Sequence, residues 1–359
     1  MTIINRFKPI AAVSLIAMAA SFSTTQTAST QERPEASPIS RVPQMRAKQP
    51  DEDGRVFGGQ KAEKDEWPFQ VALLTAEMLD ESPQSQPDAQ FCGGSVIAPQ
   101  WILTAAHCLF DGEQAVPGDT VTVLTGATNL AEGKRFKVAK VIVHEGYNPN
   151  TLDNDIGLIQ LASATDAPVI GLPAAASADS GKATVTGWGR MEDGTFPNDL
   201  MEAELDLTEN GACNTGIKEI YAKDLGTILR AWAPRMKFSD AAVDSAATAI
   251  AATMTDPLTG NMICAGTQSG ARDACNGDSG GPLFVKEGNG LTQVGVVSWG
   301  EGPIDAEAAC GHENAYGVYT RVSNYTGWIA DTMKNTPTPP AAAEPEKPGG
   351  AGVAEKPKQ

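Results

Sequence analysis

A chain of 359 residues with 41% hydrophobic and 20% charged content can bury a core of domain size, which excludes a wholly disordered protein. The formal charge is −17, and residues 1–55 contribute 7 basic and 5 acidic side chains, so the remainder holds 20 basic and 39 acidic, a net −19. Such a balance disfavours nucleic acid and anionic membrane surfaces as partners, because both are polyanions.

Residues 1–28 open with Arg6 and Lys8 and run into an apolar stretch from Ile10 to Ala20 that ends in small residues, the layout of a secretory signal peptide. The stretch is too short and wrongly flanked to span a membrane. Export to a periplasm or to the medium is therefore expected, with no membrane partner. Residues 29–55 are rich in Pro, Gln and charge and read as lacking apolar periodicity, so they are expected to be disordered and are a candidate propeptide.

From Val56 the texture changes to short β-type runs, FQVALL, TVTVLTG, RFKVAKVIVH, IGLIQL, ATVTGWG and LTQVGVVSWG, broken by Gly, Pro, Asn and Asp. Many short strands with little helix predict an all-β fold of sandwiches or barrels. Thr75–Gln90 reads as an acidic polar loop. Between Cys213 and Cys264 lie 50 residues with two helical candidates, Lys218–Arg235 and Ser239–Met254, the second opened by Ser239 and Asp240 as caps. TGWIADTM, after Tyr325, reads as a short closing helix that ends the domain at residue 333. Residues 334–359 form a Pro/Ala/Glu/Lys tail expected to be extended and disordered. Six cysteines in an exported chain predict three disulfides, with the pairing left open.

Three fragments carry candidate chemistry. His107, one of three histidines, ends an apolar run in WILTAAHC. Alone it reads as an ordinary packed histidine. Ser279 stands in CNGDSGGP, where glycine lets the backbone turn its N–H groups inward and a carbonyl approach. Alone this is a glycine-rich turn. Asp155, in LDNDIGLIQL, precedes an apolar run that draws it toward burial, and alone it reads as a turn or cap residue. Together, TAAHC, DNDIGLI and GDSGGP, in that order and followed by SWG at Ser298–Gly300, resemble the trypsin/chymotrypsin family of serine proteases from Val56 to about Met333.

The resemblance implies two antiparallel six-stranded β-barrels with a catalytic cleft between them; the residues add the short closing helix and, between Cys213 and Cys264, a partly helical insertion far longer than the family usually has. It assigns Ser279 as nucleophile, His107 as general base and then acid, and Asp155 as the carboxylate that orients the imidazole. The backbone N–H groups of Gly277 and Ser279 would form the oxyanion hole. It pairs Cys92 with Cys108, Cys213 with Cys264, and Cys275 with Cys310. Asp273 would lie at the base of the primary specificity pocket, with Gly300 and Gly317 leaving its walls open and Ser298, Trp299 and Gly300 pairing with substrate backbone. Cleavage after Arg follows, and after Lys less well, because Ala274 stands where many relatives have serine. RVFGG resembles an activation junction, so the chain is expected to be inactive until cut between Arg55 and Val56, freeing the Val56 ammonium to pair with Asp278.

Substrates would be proteins or peptides with exposed Arg or Lys, protein inhibitors are expected partners, and the enzyme would be a monomer. No calcium is expected, because the loop Gly126–Phe136 carries a single acid, Glu132. Tyr316, with the extended Glu301–Ala309 loop, implies a sodium site made of carbonyls; no other metal or cofactor is implied. Two other readings stand beside the enzyme: a non-catalytic protease homologue serving as an extracellular binding module, and a structural β-protein tethered by its tail. The first would show a replaced triad residue, and none is replaced.

Overall fold

A computed structural model describes residues 37–48, 59–270, 272–288, 290–306 and 310–339. The signal-peptide reading, the Arg55–Val56 junction and the tail from residue 340 lie outside the described residues.

Strands β1 (Gln70–Thr75), β2 (Gln90–Ala98), β3 (Trp101–Thr104), β4 (Val121–Thr125), β5 (Lys134–Val143) and β6 (Gly157–Leu161) close into an antiparallel barrel. The run QVALLT is buried throughout because its two faces enter different cores. Val71 and Leu73 pack with Phe91, Ile102 and Ile159, while Ala72 and Leu74 pack with Leu124, Leu130 and Trp188. A period of two with both faces buried gives a continuous apolar run instead of an alternation.

The second barrel is built from β7 (Gly181–Gly187), β8 (Met201–Thr208), β9 (Met262–Gly266), β10 (Pro282–Glu287), β11 (Gly290–Gly300) and β12 (Gly317–Arg321). Pairing of Asp206 with Gly266 and of Thr208 with Cys264 closes it. In β8 the sequence MEAELDLT alternates as a strand with one wet face should, sending Ala203, Leu205 and Leu207 inward. Buried bonds tie the barrels together: Thr186 Oγ1 donates to Gln70 Oε1 (2.7 Å), Ser95 Oγ to Gln293 Oε1 (2.5 Å) and Gly93 N to the Ser279 carbonyl (2.7 Å).

Four helices of eight or more residues decorate the barrels among the described residues. The insertion holds α2 (Asn210–Met236) and α3 (Asp240–Ala251) as an antiparallel pair; Ser239 caps α3 by accepting from Ala242 N (3.2 Å). The first helix starts eight residues earlier than its sequence signal, because Cys213 and Ile217 pack with Leu258 and with Met262 and Val318 of the second barrel. The closing helix α4 (Thr326–Asn335) runs two residues past the boundary drawn at 333. The remaining helix, α1 (Pro38–Arg46), falls in the segment expected to be disordered. Ile39, Val42 and Met45 form a face at three-residue spacing, and Val42 is 1% exposed in the first barrel's core cluster. Prolines at 38 and 43 mask that period, although proline at the first helical position is favourable. The structure pairs the cysteines 92–108, 213–264 and 275–310, with no free thiol.

Candidate active site

His107 begins a short turn after β3 and is tied to β2 by the neighbouring Cys92–Cys108 disulfide. Asp155 directly precedes the buried Ile156 and strand β6, and the apolar run carries its carboxylate to zero exposure. A buried carboxylate needs donors. Oδ1 accepts from the backbone N–H of His107 (2.8 Å), and Oδ2 lies 2.7 Å from His107 Nδ1 and accepts from Ser298 Oγ (2.5 Å). The Asp155 carbonyl takes a further bond from Thr320 Oγ1 (2.6 Å). The ring is thus clamped through Nδ1, which leaves Nε2 as the nitrogen able to exchange a proton with a substrate group.

Ser279 is half-exposed on the loop between Cys275 and β10. Its neighbour Gly280 is pressed against the strand end that leads to His107: a Cβ there would fall 2.1 Å from Thr104 Oγ1 and 3.1 Å from Ala105 N. Gly277 has φ of 99°, a conformation that L side chains rarely adopt, so its peptide can be presented where other residues would strain. Asp278, 3% exposed, accepts from Gly189 N (2.7 Å) and Cys275 N (2.9 Å). Burial pushes its carboxyl up to about 6, opposed by those two N–H groups and by the Arg46 cation.

Asp273 is 2% exposed and accepts from Ala274 N (2.8 Å) and Gly311 N (3.3 Å). Burial pushes its carboxyl up to about 7 against the pull of those N–H groups, with a further push from Asp278. A Cβ on Gly317 would sit 2.8 Å from Asp273 Oδ1 and 3.0 Å from the Tyr319 hydroxyl, so both groups border the space that this glycine leaves open. A Cβ on Gly300 would meet nothing nearer than 4.0 Å. Ser298 is buried, Trp299 half-buried and Gly300 exposed at the end of β11. On one side β11 pairs with β12 up to Gly300, whereas on the other its pairing with β10 stops at Val296.

His107, Asp155 and Ser298 are therefore joined by hydrogen bonds, and Ser279 and Asp273 lie on the adjoining loop. Against known proteins, the chain matches the Trypsin family over residues 56–229 and 236–329. The chain is a member of the trypsin family. It is 30% identical to Trypsin-3 of Salmo salar over 292 residues, 79% of this chain and 95% of that protein. It is 31% identical to the trypsin of Sus scrofa over 290 residues, 79% of this chain and 97% of that one. The tissue-type plasminogen activator of Sus scrofa is 32% identical over 302 residues, 78% of this chain and 45% of that protein. The chain is accordingly a trypsin-family serine protease, a class that acts on proteins and peptides.

Sequence reasoning missed several members of this trypsin-like site. Gly187 and Gly189 read only as the end of a strand, yet a Cβ on either would fall within 2.1–2.3 Å of an Asp278 oxygen. The expectation for Ser298 concerns its backbone alone, and its hydroxyl in addition holds Asp155. Gln90, buried against the Gly277 carbonyl, and Arg46, buried against Gln90, gave no chemical signal beyond being polar.

Proposed function

We propose that the protein is a secreted, monomeric endopeptidase that cleaves after Arg, and less well after Lys, through a Ser279–His107–Asp155 triad. The observation that carries this reading is the buried Asp155, bonded to both the backbone and Nδ1 of His107 and to Ser298. An imidazole held this way carries its proton on Nδ1, so Nε2 accepts the Ser279 proton as Oγ attacks the carbonyl carbon. Asp155 stays ionised and stabilises the imidazolium. Negative charge collects on the former carbonyl oxygen, where the Gly277 and Ser279 N–H groups are worth about 3–4 kcal/mol each. His107 then gives its proton to the leaving amine, an acyl-enzyme remains on Ser279, and water releases it by the same steps in reverse.

Asp273 supports the specificity assignment. A carboxylate buried to 2% exposure is costly when ionised and unpaired, and a cationic side chain entering beside Gly317 relieves that cost. Backbone pairing on the β10 side of β11 extends to Val297, which bonds Gly280 and Gly281, and the edge beyond it supports pairing of Ser298–Gly300 with extended substrate. Activation would follow cleavage between Arg55 and Val56, whose new ammonium would pair with Asp278. A carboxylate has about four acceptor positions, and the Gly189 and Cys275 N–H groups use two. For cations, calcium stays outside the proposal, because the Gly126–Phe136 loop carries a single acid, Glu132. A sodium site beside Tyr316 remains part of the proposal, tested by exchanging sodium for choline at constant ionic strength.

A peptide-library cleavage profile of the activated protein tests the whole reading. Cuts should fall after Arg and Lys and vanish in Ser279→Ala, which should also accumulate as uncut precursor. N-terminal sequencing of active enzyme should begin VFGGQ. Cleavage after apolar residues, or retained activity in Ser279→Ala, would reject it.

A further inference from the structure

Helix α1 reaches beneath the loop that carries Gly277, Asp278 and Ser279. Arg41 Nη2 donates to Asn276 Oδ1 (3.2 Å), one residue before Gly277. Arg46 is 3% exposed, with its guanidinium 4.6 Å from the centre of the Phe196 ring. Its Nη2 donates to Gln90 Oε1 (2.5 Å) and to the Trp188 carbonyl (2.6 Å). Both acceptors lead onward to the same loop. Gln90, fully buried, donates from Nε2 to the Gly277 carbonyl (2.9 Å) and to that of Cys92 (3.1 Å). Trp188 precedes Gly189, whose N–H holds Asp278.

A buried guanidinium is a poor choice for stability alone, because its desolvation cost is not recovered from neutral acceptors and an apolar side chain would pack there more cheaply. Burial lowers the Arg46 pKa to about 9, with Asp278 and Asp88 opposing the shift. What arginine adds is a set of directed donors, placed where one residue can hold both the Gln90 amide and the Trp188 peptide. The helix itself is seated independently of this contact: Val42 is in the core, and Thr75 Oγ1 donates to the Ile39 carbonyl (3.0 Å). The junction Arg55–Val56 lies nine residues beyond Arg46, so a cut there removes none of these contacts. Residues 1–55 hold no cysteine, so no disulfide would tether them afterwards.

We propose that helix α1 stays with the activated protease as a non-covalent component, and that Arg46 is a positioning residue that fixes the Gly277–Asp278 backbone through Gln90 and Trp188. The inference rests on the reading above that the chain is cut at Arg55–Val56. It assigns the segment 38–46 a lasting part in catalysis, in place of that of a discarded propeptide.

The test begins with the full chain after activation, passed through gel filtration and examined by native mass spectrometry. The expected species is a complex of the chain starting VFGGQ with a fragment ending at Arg55, separated by denaturant without reductant. Arg46→Met should lower kcat about ten- to fifty-fold on a small ester while KM changes by less than about twofold, and Arg46→Lys should restore part of the loss. Should Arg46→Met fail to fold, wild-type enzyme stripped of its fragment in mild urea gives the same readout. Its kcat should fall and return when a synthetic peptide of residues 37–55 is added. Loss of the fragment with full kcat, or an Arg46→Met enzyme altered in melting temperature alone, would overturn the proposal. Ser279 labelling by a fluorophosphonate separates the two readings. A cut enzyme that labels but lacks the fragment at full kcat defeats only the role of α1, whereas one that keeps the fragment and never labels defeats the protease assignment.

Discussion

At the scale of single residues, the proposed specificity pocket around Asp273 gives the sharpest expectations. Arginine can meet Asp273 with two parallel hydrogen bonds, whereas the shorter lysine needs a further acceptor, and the adjacent Ala274 supplies none. Matched peptides should show a specificity constant roughly tenfold higher for Arg than for Lys, and Ala274→Ser should narrow the ratio. Equal rates on the two peptides would remove the argument from Ala274. The same carboxylate bears on stability. Because the Asp273 carboxyl sits at about 7 when folded and near 4 when unfolded, folding takes up a proton between those values, and stability falls as pH rises through that window. In a Ser279→Ala background, Asp273→Asn should gain about 1–3 kcal/mol over its parent at pH 8 and little at pH 4, measured by urea unfolding. A gain independent of pH would place the effect in packing. Beneath Asp278, Gly189→Ala would drive a Cβ to 2.3 Å from a carboxylate oxygen. It should cost about 1–3 kcal/mol in unfolding and most of kcat.

At the scale of elements, the insertion is the part whose role the residues alone left undecided. Two helices were legible from capping and composition, but their docking was not, because it depends on which barrel face waits for Cys213 and Ile217. Once docked, α2 reaches the rim of the pocket: Tyr221 donates to Glu301 Oε1 (2.9 Å), and Asp224 accepts from Ile304 N (3.0 Å). It also reaches the loop before β12, where Asn314 Nδ2 donates to Glu219 Oε2 (3.1 Å). The helix therefore braces two loops beside the proposed pocket, at Glu301–Ile304 and at Asn314. Tyr221→Phe should raise KM about two- to fivefold and leave kcat unchanged in steady-state assays. An equal fall in kcat would mean that α2 acts on the chemistry as well. Helix α1 teaches the complementary lesson. Its apolar residues at 39, 42 and 45 were in plain sight, but Pro38, Pro43 and the charged flanks matched the composition of a disordered linker, and only the partner surface on the first barrel decides between them.

At the scale of the whole molecule, the two barrels were legible because each strand is short, apolar and bounded by turn residues. The closure of each barrel is a long-range pairing that no local pattern records. The proposed triad rests on a different signal: three weak fragments occur in one order, with His107 following β3, Asp155 preceding β6 and Ser279 preceding β10. What escaped the sequence is the support beneath them, Ser298 under Asp155, Gly189 under Asp278 and Gln90 under Gly277. Those are ordinary residues made important only by what folds onto them. The central claim, that Ser279 is a nucleophile activated by His107 and Asp155, meets its most direct test in covalent labelling. Activated enzyme treated with a fluorophosphonate should gain one phosphonyl group, mapped by mass spectrometry to Ser279 and lost in His107→Ala. A modification elsewhere, or labelling of Ser279 at an undiminished rate without His107, would contradict it.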